Sequence, residues 1–337
     1  MTTVVSTSIP ALPAPRGELS ASLREVLGTD PGSAVPVGPA ADPFGEDLHL
    51  ALHMCYELHY RGWAGVDIDW EWDPALLTLR AALEKTYLEA LRASVPGGDD
   101  LDAELDALLR TPVEPDGPSA HLRDEGGWPQ MREYFAHRSI YHHKEADPYI
   151  WVVPRVSGQA KASLVAVEFD EFGGGRGERV HARLYADLLA GAGLDTGYLR
   201  YLDEVPAPML ALVNMMSLFG LHRAHRAASI GHFASVEITS PPGAARMVDA
   251  LERLDADAAC VRFYREHVEA DAVHEQVMRR DVIGDLLARE PDLRADVVFG
   301  IQVTNLLEDR FADHVLSAWR DGRTSLRHPI EVVDEQR

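Results

Sequence analysis

The chain has 337 residues, with 32 Lys and Arg against 54 Asp and Glu, a formal charge of -22. Such a length supports one large or two smaller hydrophobic cores and excludes a miniprotein that depends on staples. The charge argues against a nucleic-acid backbone or an anionic membrane surface as partner, since most of this surface would repel either one. In chain order, residues 1–43 are rich in Pro, Ala, Gly and Ser and read as a flexible tail with one helix-like segment at 19–27. The tail lacks the basic start and apolar run of a secretory signal. From Pro43 onward almost every segment carries helical period: Ala75, Leu76, Leu79, Leu83 and Tyr87 follow the i, i+3, i+4 pattern of one buried face. Further helices are expected over 46–60, 99–110, 128–143, 156–172, 178–191, 207–234, 242–254, 257–290 and 293–319. Asp73 before Pro74 in the WEWDP run makes a good helix start. Strand signals are confined to 237–239, which leans β, and to 149–153, which is ambiguous.

Glycines and prolines at 96–98, 112–118, 173–175 and 241–243 are expected to divide the helices, and no internal repeat suggests a solenoid. The longest apolar run, 209–221, is interrupted by Asn214, Ser217 and Gly220 and is too short to span a bilayer. It reads as a buried helix, with Met209, Met215, Met216 and Phe219 in the core. Cys55 and Cys260 lie far apart with no paired spacing, which points to reduced core thiols and a cytoplasmic protein. The expected architecture is all-α: one helical bundle over 44–322, with a second tail at 323–337.

The sharpest chemical signal is YREHVEADAVHEQ, where His267, Asp271 and His274 stand at i, i+4 and i+7. These offsets fall within an arc of roughly 60° on one helix face. Two imidazoles and a carboxylate in line suit a divalent first-row metal, although a solvated polar face has the same look. A second group surrounds Gly173, Gly174 and Gly175. An apolar helix ends there in Glu168, Asp170 and Glu171, and a new helix is expected to carry Glu178 and His181 on one face. Glycines permit a sharp reversal, so Glu171 and His181 could converge despite their separation. Glu178 also fits a simpler role, an acid favoured by the helix dipole. Glu145 stands after His142 and His143 and before Pro148, where an acid is often only a cap. Buried carboxylates are costly unless paired or metal-bound, so several apolar helices that each bring acids or imidazoles point to a metal held inside the bundle.

The run KEADPYIWVVPRVSGQAKASLVAVEFDEFGGGRGERVHARLYADLLAGAGLD, together with NMMSLFGLHRAHRAASIGHFASVEITS, EHVEADAVHEQ and DIDWEWDPALLTLR, resembles the haem-oxygenase-like di-iron oxidases, often labelled iron-containing redox enzymes. The resemblance spans residues 45–320 and implies a haem-oxygenase-like helical bundle. It carries the family's ligands onto Glu145, Glu171, His181, His267, Asp271 and His274. Glu145 would bridge two irons, one taking His181, Asp271 and His274 and the other Glu171 and His267. N-oxygenating members have an additional carboxylate three residues before the first histidine, and Glu178 stands there.

By that resemblance the expected activity is O2-dependent oxidation of a free amino acid or derived amine in natural-product (antibiotic) biosynthesis. N-oxygenation comes first, ahead of C–H desaturation, cyclisation or oxidative C–C cleavage. Two Fe(II)/Fe(III) ions, O2 as co-substrate and an external electron donor, either a reductase or a chemical reductant, are implied. A homodimer is left open. Arg155, Arg176 and Arg262 are candidate carboxylate clamps, while His222, His225 and His232 read as structural or pocket-lining. Three rivals remain: a ferritin-like bundle built on Glu178-x-x-His181, a haem enzyme with His53 or His59 as axial ligand, and a non-catalytic iron-binding protein.

Overall fold

The structure, a computed structural model, describes residues 9–35, 42–110 and 116–330, apart from the side chains of 269–272. Within them the α-helices run in order α1 (Glu18–Leu27), α2 (Glu46–Glu57), α3 (Pro74–Ser94), α4 (Leu101–Leu108), α5 (Pro118–Asp124), α6 (Trp128–His142), α7 (Asp147–Ile150), α8 (Gly158–Glu171), α9 (His181–Gly191), α10 (Ala207–Leu221), α11 (Arg226–Arg253), α12 (Ala258–Gln276), α13 (Gly284–Arg289) and α14 (Arg294–Arg320). A π-helical segment, Val277–Ile283, joins α12 to α13 without a break. No strand occurs among the described residues. The all-α bundle expected from the hydrophobic period is therefore the observed architecture. No helix there is long and apolar enough to cross a membrane.

The elements follow from local chemistry. Asp73 accepts hydrogen bonds from the Ala75 and Leu76 amides, 2.9 Å each, and Pro74 opens the first turn of α3. The run read as a buried apolar helix is α10, with Met209, Met215, Met216 and Phe219 all in the core. It is tied to its neighbours by Tyr87 OH on the Ala211 carbonyl at 2.9 Å and by Asn214 Nδ2 on the His49 carbonyl at 2.8 Å.

Helices α11 and α14 meet backbone to backbone. A Cβ added at Gly231 would lie 2.1 Å from the Val297 carbonyl oxygen, and one at Gly300 would lie 2.0 Å from that of Ala228. Only glycine permits that approach. His232, buried beside this contact, bonds Thr304 Oγ1 at 2.8 Å, and His222 bonds Glu84 at 3.0 Å, both structural roles.

Several expectations need correction. Pro241, Pro242 and Gly243 do not end a helix: α11 runs through them, and the chain turns instead at residues 222–225, between α10 and α11. Prolines have no N–H to offer the carbonyls of Glu237 and Ile238, yet packing of α11 on α12, α14 and α5 holds the rod together. The β-leaning residues 237–239 are accordingly helical.

The expected tails are partly packed structure. In α1, Leu19, Leu23 and Leu27 are buried, and Asp47 accepts the Leu19 and Ser20 amides at 2.9 and 2.8 Å. At the other end Ser325 is buried and bonds Glu133 at 2.6 Å and His137 at 2.9 Å. Residues 1–8, 36–41, 111–115 and 331–337, parts of the expected tails and of the 112–118 breaker among them, lie outside the described residues.

Candidate metal centre

Glu145 sits in the turn between α6 and α7, placed there by the α6 terminus at His142 and by Pro148 in the first turn of α7. Glu171 is the last residue of α8 and His181 the first of α9. Between them the chain makes two tight turns, Gly173–Gly175 and Gly177–Arg179, with all three consecutive glycines at positive φ. At Gly173 a Cβ would come within 2.6 Å of the Val180 amide nitrogen, so this reversal needs glycine. It leaves His181 Nδ1 2.8 Å from Glu171 Oε2 and 3.4 Å from Glu145 Oε1.

Helix α12 supplies two imidazoles to the same interior. His267 Nδ1 lies 2.8 Å from the Phe263 carbonyl, which can only accept, so Nδ1 carries the proton and donates. The other nitrogen, Nε2, faces Glu145 Oε1 at 3.7 Å. His274 Nδ1 lies 3.3 Å from Glu237 Oε2 and 3.7 Å from Glu171 Oε1, and its Nε2 lies 3.2 Å from Asp170. Asp271, one helical turn from each histidine, is among the residues whose side chains are not described.

Three donor sets result, each with its ligand atoms within 4.8 Å of one another: His142, Glu145 and His267; Glu145, Glu171 and His181; Glu171, Glu237 and His274. Glu145 belongs to the first two sets and Glu171 to the last two. Two members, His142 and Glu237, were not singled out in the sequence. Glu237 is a lone acid in the otherwise uncharged run between Arg226 and Arg246, and that isolation was the available signal. Glu178 behaves differently from its expected role. It lies exposed in the turn before α9, and the extended Val180 backbone (ψ 130°) separates it from His181, so the two do not share a helix face. The ferritin-like motif built on that pair loses its basis.

The donor set fits a cation. Glu145 Oε1, His181 Nδ1 and His274 Nδ1 are buried without a hydrogen bond of sound geometry, although each has a potential partner close by. Burial alone would raise the Glu145 carboxyl. His142, hydrogen-bonded to one of its oxygens, with His181 and His267 facing the other, instead holds it well below the usual carboxylate range. Burial would lower His181, but Glu171 and Glu145 raise it well above an ordinary histidine. His274 is pushed up to about 9: burial opposes the shift, and Glu237, Asp170 and Glu171 outweigh it. Protons on these imidazoles thus occupy the place a metal's charge would take. Glu168, one turn before Glu171, is raised well above its ordinary value by burial and then by Glu171.

Beside the cluster lies a cleft of about 850 Å³, which shares Tyr141, His142, Val236, Ser240 and His267 with the small space inside the donor sets. None of the arginines proposed as clamps lines it. Arg155 donates to the carbonyls of Gly220 and Leu221 and so caps α10, while Arg176 and Arg262 are exposed. Neither haem-ligand candidate belongs to the donor sets or lines the cleft. His53 is sealed in the core, and His59 is held by Glu71 and Arg80.

A family model for iron-containing redox enzymes matches residues 132–309, from within α6 to within α14 and across every donor named above. The chain belongs to this iron-containing redox enzyme family. Membership makes it an oxidoreductase that uses iron, and the buried histidine and glutamate sets are compatible with iron. Among curated proteins none matches the chain.

Proposed function

We propose that the chain holds two iron ions in this cluster and uses O2 to oxidise a small amino-acid-like substrate. The observation that carries the reading is the sharing of carboxylates: three donor sets in a row, joined through Glu145 and Glu171, offer adjacent positions for more than one ion. Glu145, Glu171, His181, His267 and His274 would hold the irons, with Glu237 and His142 as further donors and Asp271 on the same α12 face by sequence. When bound, the irons would activate O2 and accept or deliver electrons drawn from an external donor.

The chain's own part is to place these groups and to keep water out. The Phe263 carbonyl fixes the ring of His267 and presents Nε2 inward. Tyr149 stacks on Phe233 at 3.9 Å and, with Tyr141, walls one side of the cluster. The substrate would enter by the adjoining cleft, past His142 and His267.

N-oxygenation of an amine and attack on a neighbouring C–H bond both fit this placement. The extra-carboxylate argument for the first no longer rests on Glu178, and Glu237 is the additional buried acid beside the donors. Natural-product assembly is the setting proposed for either reaction.

Anaerobic addition of Fe(II) followed by metal analysis and visible spectroscopy tests the reading. Two irons per chain with no Soret band, and a visible absorption that decays faster when an amino-acid substrate is added after O2, are expected. A single iron or a haem spectrum overturns it.

A further inference from the structure

The cleft is amphipathic, and its charges are distributed unevenly. Ile238, Met247, Phe263 and Tyr264 supply apolar lining to the same cleft, with Phe263 packed against His142 and His267. Arg138 lines the cleft too, but its fork is filled: Nη1 and Nη2 donate to the two oxygens of Glu308 at 2.9 and 2.6 Å. Arg246 is different. It is half-buried on α11, and its Nε donates to Ser119 Oγ at 3.0 Å. Among the described residues no carboxylate lies within ion-pair reach of its two terminal nitrogens. Burial and then Arg123 lower its pKa, against a smaller opposing effect of Tyr134. Among the described residues this guanidinium meets a hydroxyl at Nε and no carboxylate, and in a cleft of a chain with charge -22 it is a candidate binding group for an anion.

We propose that Arg246 clamps the carboxylate of the substrate, whose chain then lies along the apolar wall with its far end at His142 and His267. Arg246 follows Glu237 by nine residues of α11, roughly 13 Å of rise and two and a half turns, and α11 lines the cleft along that stretch, from Ser235 and Val236 to Arg246 and Met247. The ligand class is therefore a carboxylic acid with a short aliphatic chain, free or as an amino acid. The inference rests on the cluster being the reacting end of the cleft.

The test is calorimetric titration of the full chain, anaerobic, with and without Fe(II), using hexanoate, L-norleucine and hexylamine as probes. Hexanoate and norleucine are expected to bind and hexylamine not. Arg246→Gln is expected to weaken both acids by about tenfold or more, with Arg246→Lys in between. Iron content and circular dichroism should stay unchanged in both variants. Failure of the acids to bind the wild-type chain overturns the clamp, as does hexylamine binding as well as hexanoate. Unchanged hexanoate binding by a folded Arg246→Gln protein also overturns it, including the case in which the acid binds only when iron is present. Failure of the di-iron reading would show separately, as a changed iron count with acid binding intact.

Discussion

Glu145 and Glu171 each serve two donor sets, so the loss of either removes a ligand from two positions at once. Glu145→Ala is expected to bind less than half the iron of the wild type, whereas Glu178→Ala, changed at an exposed turn, should keep all of it. Metal analysis of the two variants, prepared side by side, checks the contrast. His274 gives a pH dependence. In the metal-free protein its folded pKa, about 9, lies above the ordinary 6.5, so its contribution to stability is fully present below pH 6.5 and is lost as pH rises through 9. Thermal unfolding in chelator should therefore show Tm falling across that window, and a flat profile would contradict it. Iron affinity should rise over the same range, because the proton and the metal compete for one nitrogen. At this scale the sequence was legible where donors repeat along one helix, as His267 and His274 do, or flank a glycine reversal, as Glu171 and His181 do. Glu237 was not legible because its partners come from other helices, and His142 because its third partner, His267, does. Arg246 was missed for the same reason.

At the scale of the helices, the contact between α11 and α14 carries a specific expectation. Gly231→Ala would drive a methyl into the Val297 carbonyl and push the rods apart, at a cost of about 1–3 kcal/mol or more. A lower urea midpoint with unchanged iron stoichiometry in the folded fraction is the expected result. The same helix shows why boundaries were misread. A Pro-Pro-Gly run is a strong local stop, but α11 is packed on three sides by α5, α12 and α14, and that packing outweighs the lost amides. The true break at 222–225 contains no proline or glycine to announce it. Helix as the element type was easier to read, because the period of apolar residues is set by the buried face itself.

For the molecule as a whole, the net charge of -22 means that the folded chain repels itself. Moderate salt should raise Tm, since screening weakens repulsion among exposed charges more than it weakens the buried cluster. A Tm that falls on addition of sodium chloride would argue against this. The termini also look different at this scale. Proline-rich composition suggested a tail, yet Leu19, Leu23 and Leu27 close the core over α2, because three leucines on one face outweigh the sequence around them. Finally, α11 carries Glu237 at the cluster and Arg246 in the cleft on one unbroken rod. A rod of this kind works as a ruler whose marks also rotate: one residue inserted between the two would move Arg246 by about 1.5 Å and swing it by about 100°. Selectivity for chain length would then change by phase, with three or four insertions restoring the facing that a single one destroys.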